Sequence, residues 1–161
     1  LVTKSALTLP GDPIYIKRAE KAQKLFPYDD QFKKLVKTAK IGNTRIDNAY
    51  TISLKAQTNY VEQSFDQAAI LYDQSIKLDP YEYSYYENAA LCYYAINDLD
   101  NALDRINTVV NKMNPLNGKC EYVKGLIYLK LGIINDACKL FETSVNSGFE
   151  SSQSLIDQYC I

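Results

Sequence analysis

The stretch Tyr86–Val109, YENAALCYYAINDLDNALDRINTV, decides the fold. Small residues stand at Ala89, Ala90 and Ala102, and bulky ones at Tyr93, Ile106 and Val109. Ala102 and Ile106 are four residues apart, so both lie on one face of a helix. Asn97 and Asp98 between the two halves are turn formers. The stretch therefore predicts a pair of helices that approach closely because small side chains face each other, with Ile106 filling the space beside them.

The same arrangement recurs on both sides. Ala68, Ala102 and Ala137 sit in F-D-Q-A, L-D-N-A and I-N-D-A, at intervals of 34 and 35 residues. At the same intervals fall Ala56, Ala90 and Gly125; Phe65, Leu99 and Ile134; Tyr72, Ile106 and Phe141; Ser75, Val109 and Ser144; and Ile76, Val110 and Val145. Six matched columns at one period mark a tandem repeat of two-helix units. Gln63-Ser64, Asn97-Asp98 and Gly132 are expected to turn the chain between the helices of a unit. Pro80, Pro115 and Gly148 are expected to end the second helices.

The pattern Y-x-x-A-A-x-x-Y-x8-A-x3-I-x2-V over Tyr86–Val109 resembles the tetratricopeptide repeat (TPR) motif. Cys120–Val145, with G-x-x-Y-x8-A-x3-F-x2-S, resembles it too. Ala49–Pro80 matches in its second half, at Ala68, Tyr72, Ser75 and Pro80. It departs at Lys55 and Asn59, as the third unit does at Lys124. The resemblance implies an all-α chain, a right-handed α-α superhelix or TPR solenoid. About three regular helix pairs are expected, with a degenerate N-terminal pair and a C-terminal capping helix.

The divisions expected are residues 1–47 for degenerate N-terminal helices, 48–81, 82–116 and 117–148 for the repeats, and 149–161 for the cap. In the first part, Ser5–Pro10 echoes Ser75–Pro80, so Leu1–Leu9 reads as the second helix of a unit. Ile14, Ile16, Ala19, Ala22 and Leu25/Phe26 then recur at helical spacing up to Pro27. Phe32, Leu35, Val36 and Ala39 form the next stripe, with Gly42 as C-cap. Stacked repeats leave an apolar face at each end, and Ser151–Tyr159 is expected to cover one through Leu155, Ile156 and Tyr159, with Ile161 as the C-terminus. The start at Leu1 rather than Met suggests a chain processed or cut from a longer one.

Composition narrows the function classes. The 161 residues are 47% hydrophobic and 23% charged, which is globular rather than disordered. A net charge of -1 lacks the basic footprint of nucleic-acid binding. No apolar run suggests membrane insertion, and no basic-then-apolar leader is visible at the N-terminus. Localisation is left open, cytoplasmic by default and periplasmic or envelope-associated if a leader has been removed. The chain has no histidine, so the commonest general base is missing. The six glycines form no nucleotide-binding motif, and no G-x-S-x-G occurs. Asp29-Asp30 and Asp98/Asp100 read as helix-start residues. Cys92, Cys120, Cys138 and Cys160 show no C-x-x-C pairing and read as reduced, partly buried thiols. No catalytic residue, cofactor or metal site is expected.

Fourteen tyrosines are the distinctive feature. Tyr86 and Tyr93 fall in core columns, whereas Tyr94 falls on the other face. In TPR proteins the first helices of the units line a concave groove. Carried over position by position, the resemblance implies a groove of Tyr50, Gln57, Tyr60, Glu87, Asn88, Leu91, Tyr94, Lys119, Tyr122, Leu126 and Leu129. Such a surface suits a peptide or helix of a partner protein. Some members of the family hold a C-terminal carboxylate in a cationic clamp. Asn88 and Lys119 fall at clamp-like positions, but Ser53, Gln57 and Val123 occupy the others, so the cations that clamp requires are missing. The reading is a non-catalytic interaction scaffold. Alternatives are a structural or oligomerisation segment of a larger, envelope-associated complex, self-associating through the N-terminal helices, and a glycan-binding or other ligand-binding accessory domain.

Overall fold

A computed structural model describes residues 10–113 and 115–160, and the proposed helix over Leu1–Leu9 lies outside them, as does Ile161. The described residues form nine α-helices. These are α1 (Pro13–Leu25), α2 (Asp30–Ile41), α3 (Asn43–Val61), α4 (Phe65–Leu78), α5 (Tyr83–Ala95), α6 (Leu99–Thr108), α7 (Lys119–Lys130), α8 (Ile134–Asn146) and α9 (Gln153–Tyr159). A π-helical turn, Val109–Met113, follows α6, and a 3-10 turn, Glu150–Ser152, precedes α9. Helices α3/α4, α5/α6 and α7/α8 pack as antiparallel pairs, and each second helix also packs on the first helix of the next pair.

The small-residue columns explain the pairing. Ala68, Ala102 and Ala137 are all 0% exposed, wedged between helices. Opposite them Ala56 and Ala90 are equally buried. In the third unit the corresponding residue must be glycine. A Cβ on Gly125 would lie 2.5 Å from the Phe141 ring, which fills that space. Units with Tyr72 or Ile106 at the Phe141 position accommodate an alanine.

Each turn between paired helices uses the same device. Gln63, Asn97 and Gly132 take left-handed φ values of 61°, 63° and 78°. The next residue's N–H then reaches back to an orphan carbonyl: Ser64 to Asn59 at 2.8 Å, Asp98 to Tyr93 at 2.9 Å and Ile133 to Tyr128 at 2.9 Å. The interval of 35 rather than 34 between Ala102 and Ala137 falls where the π-helical turn widens the end of the second unit.

The N-terminal pair departs from expectation in detail. Its core is small: Ala19, Val36 and Ala39, with Ile16 and Leu35 beside them. Ile14, Leu25 and Phe26, expected on the buried stripe of α1, are exposed; among the described residues the main packing partner of α1 is α2. Phe26 instead stacks on Phe32 with ring centroids 5.2 Å apart. Gly42 ends α2 with φ 78°, as expected, and donates to the Thr38 carbonyl. Asp29 and Asp98 cap helix starts as read from the sequence, accepting from Gln31 N–H at 2.8 Å and Asn101 N–H at 3.2 Å. The pair is joined to the repeats through charge. Lys37 lies 3.0 Å from both the buried Asp79 and Glu82, while Lys40 sits over the Tyr81 ring.

The cysteines divide. Cys92 and Cys120 are buried free thiols, pushed up to about 12 by burial. Cys138 and Cys160 are joined in a disulfide, which corrects the expectation that all four are reduced. Chain folding brings them together: α9 lies back along α8, so residues 22 apart in sequence meet with Cα atoms 5.6 Å apart. Leu155 and Ile156 of the cap are half-buried, and Tyr159 is 40% exposed. Beneath the cap, Ser152 donates to Ser144 at 2.7 Å and Ser144 to the Gly118 carbonyl at 2.6 Å, all in the interior. This buried polar chain is fully partnered, as burial demands.

Candidate partner-binding groove

Helices α3, α5 and α7 are the first helices of the three units, and all the candidate groove residues lie on them. On α3, Tyr50 is 58% exposed, Gln57 is exposed and Tyr60 is 38% exposed. Tyr60 is propped by the edge of Phe65, with centroids 5.3 Å apart. Leu54 and Val61, not anticipated from the sequence, share this uncovered side of α3. Their signal was present in the i, i+4, i+7, i+11 spacing of Tyr50, Leu54, Gln57 and Val61.

On α5, Asn88, Leu91 and Tyr94 are half-buried, and on α7 so are Lys119, Tyr122, Leu126 and Leu129. Tyr122 leans on Phe149 at 5.1 Å and on Phe141 at 6.4 Å. Lys130 covers the Tyr94 ring from 4.7 Å and donates to its backbone carbonyl. Burial raises the hydroxyl pKa values of Tyr60 and Tyr94, and Tyr122 lies near enough to each to add to the rise. Tyr60, Tyr94 and Tyr122 stand on the first helices of the three successive units.

A cleft of about 370 Å3 opens between α3 and α5, lined by Tyr50, Gln57 and Asn88 of the candidate set and by Ser53, Leu54 and Tyr85 among others. Tyr72 at its floor is pushed up to about 12 by burial. Tyr85, which the sequence left unassigned, is 6% exposed and contributes to the first core cluster.

Glu87 does not belong on the groove surface. It is 1% exposed and accepts from Asn117 at 3.4 Å, with the Lys119 ammonium 3.7 Å away. Burial raises its pKa, against the opposing pull of Lys119 and Asn117. Lys119 also donates to Asn88 at 2.9 Å, so this cation is engaged inside the protein. On the outer side, Arg105 grips Asp73 through two bonds of 2.8 and 2.9 Å, and Tyr93 donates to the same carboxylate at 2.8 Å. Burial alone would raise Asp73, but those three donors outweigh it and hold its pKa below the usual carboxylate range. Among the described residues no group of His, Cys, Asp and Glu is placed to hold a metal ion, and no helix is long and apolar enough to cross a membrane.

Comparison with solved structures gives the architecture its name. The first TPR domain of Spaghetti (RPAP3), bound to the HSP90 peptide SRMEEVD, superposes with a TM-score of 0.60 at 17% identity, covering 70% of this chain and 95% of that one. The Sgt2 TPR domain from Aspergillus fumigatus gives 0.57 at 18%, covering 69% and 80%. The fold is TPR-like. The N-terminal domain of stress-induced protein-1 from C. elegans, at 0.60 and 17%, covers 74% of this TPR-like chain and is itself covered completely. No family model matches the chain, and no curated protein matches it in sequence. At these identities the likeness carries the fold alone.

Proposed function

We propose that this TPR-like domain is a non-catalytic scaffold that holds a segment of another protein in the groove of α3, α5 and α7. The observation that carries this reading is the tyrosine-bearing side of the first helices, with Tyr50 and Tyr60 exposed and Tyr94 and Tyr122 half-buried. Tyrosine offers apolar area and a hydroxyl at modest entropic cost, which suits a binding surface. The RPAP3 domain, of the same fold, is seen with a peptide bound. A photo-crosslinking residue at Gln57 should capture a partner in the native organism. The same residue at Lys139, on α8 away from the groove, should not. Replacing Tyr60, Tyr94 and Tyr122 with alanine should abolish capture, and equal capture by that variant would refute the groove.

A second reading, self-association in a larger assembly, is favoured by Ile14, Leu25, Phe26 and Tyr28, all exposed on the N-terminal pair. Light scattering separates the two. A stable dimer broken by Phe26→Ser supports assembly through these helices, and a monomer supports the scaffold alone.

A further inference from the structure

The start of α7, the third groove helix, is held in place by the chain around the C-terminal cap. Phe149, in the link between α8 and α9, lies against the Tyr122 ring with centroids 5.1 Å apart. It also closes on Gly118, where an added Cβ would come within 2.8 Å of the Phe149 Cβ. Ser152, in the turn that opens α9, donates to Ser144, and Ser144 donates to the Gly118 carbonyl. That carbonyl also accepts from the Tyr122 N–H at 3.1 Å. At the other end of α9, Tyr159 lies near enough to Tyr94 to add to the rise in its pKa.

The cap itself is lightly attached. Helix α9 has seven residues, none of them fully buried, and a helix that short does not persist alone in water. The Cys138–Cys160 bond ties its C-terminal end to α8. Both cysteines are half-buried rather than enclosed, which leaves the bond open to a small thiol. Cys92 and Cys120, by contrast, are 0% exposed, and burial raises their thiol pKa values. Neither therefore supplies a thiolate to exchange with the bridge. Breaking the bond loosens one short helix and leaves the apolar packing of the repeats untouched, which is the form of a local opening.

We propose that the Cys138–Cys160 disulfide is a redox latch on the groove. With the bond made, α9 stays docked and Phe149 is held against Tyr122. With the bond reduced, α9 undocks and the third unit's part of the groove loses that support. The reductant is a dithiol. One of its thiolates attacks a sulfur of the bridge, and the S–S bond breaks as a mixed disulfide forms. Its second thiol then displaces the remaining protein sulfur. Two electrons and two protons pass to the protein, leaving two cysteine thiols and a cyclic disulfide. The effect on partner binding rests on the scaffold reading of the same groove, whereas the coupling of the bond to Tyr122 does not.

Fluorine NMR of the whole chain carrying 3-fluorotyrosine tests it, before and after dithiothreitol. Tyr122→Phe assigns the resonance of interest, and Tyr28→Phe assigns that of Tyr28, which is 90% exposed. Reduction is expected to move the Tyr122 resonance toward the Tyr28 position and to leave Tyr28 where it is. Hydrogen exchange in α9 should quicken about tenfold or more. The Cys138→Ser/Cys160→Ser variant should give the reduced spectrum in both conditions. Phe149→Ala in the oxidised chain should move Tyr122 in the same direction, and thermal melts check that each variant is folded. The inference is overturned if α9 keeps its protection on reduction, if α9 opens while Tyr122 stays, or if the double serine variant responds to dithiothreitol. Crosslinking at Gln57, taken as the ratio of wild type to double serine variant, should fall about fivefold or more on reduction. An unchanged ratio overturns the control of binding. If Gln57 captures nothing in either condition while Tyr122 still responds, the scaffold reading fails and the coupling of the bond to Tyr122 stands.

Discussion

Reduction of the Cys138–Cys160 disulfide should cost the domain much of its thermal margin. The bond joins residues 22 apart. On the chain-entropy account, closing a loop of that size in the unfolded chain is worth about 3 kcal/mol. For a chain of this length that is a fall in Tm of roughly 6–12 °C. The structure adds a reason to expect a local effect first. Helix α9 is seven residues long and contains no fully buried residue, too short to persist unaided. What holds it is Leu155 and Ile156, the Ser152–Ser144 hydrogen bond and the disulfide. The assay is calorimetry with and without a phosphine reductant, paired with hydrogen exchange on α9. The control is the Cys138→Ser/Cys160→Ser variant, which should match the reduced wild type and be insensitive to reductant. If the reductant moves the wild-type Tm by less than about 2 °C and leaves α9 protected, the loop-closure argument is refuted. If it moves the double serine variant equally, the effect belongs to something other than this bond.

Three further perturbations probe the packing. Gly125→Ala places a methyl 2.5 Å from the Phe141 ring and should cost about 1–3 kcal/mol in a denaturant titration, with Phe141→Leu in the same chain recovering part of the loss. Gln63→Gly relieves a left-handed residue at φ 61° and should raise stability by about 0.5–1 kcal/mol, because the relief exceeds the added unfolded-state entropy. Asp73→Asn removes the charged partner of Arg105 and should cost about 2 kcal/mol at neutral pH. Since folding lowers the Asp73 pKa, its contribution is present above the unfolded value near the ordinary 3.8 and is lost as pH falls through the folded value. The variant should therefore lose the part of the wild type's acid-side decline that belongs to this group, read from urea midpoints across roughly pH 2–5.

The repeats were legible because close helix packing leaves so few choices. Alanine or glycine must recur wherever two backbones approach, and Ala68, Ala102 and Ala137 display that necessity at a fixed period. The turns were legible for a similar reason, since the position that must be left-handed falls at Gln63, Asn97 and Gly132. The N-terminal stripe was harder, because Ile14, Leu25 and Phe26 have helical spacing whether or not anything packs on them. The disulfide left no local signature: pairing Cys138 with Cys160 depends on the direction in which α9 returns. Glu87 shares its column with Ser53, which is also buried, and with the half-buried Tyr122, and its partners there, Asn117 and Lys119, come from a loop and a helix start that the period does not describe. Periodicity reports which positions are equivalent but not which neighbours a loop will supply.

The joint between the first helix pair and the rest of the array has a mechanical consequence. Elsewhere along the solenoid, successive pairs are welded by apolar side chains, and their mutual angle is as stiff as a protein interior. At this joint the fastening is Lys37 between two carboxylates and Lys40 against an aromatic face, beside a cleft of about 900 Å3. Such a fastening has a small lever arm against rotation and softens as dissolved ions compete for it. The molecule's end-to-end length should accordingly respond to ionic strength at that single pivot, while the three units beyond it move as a rod.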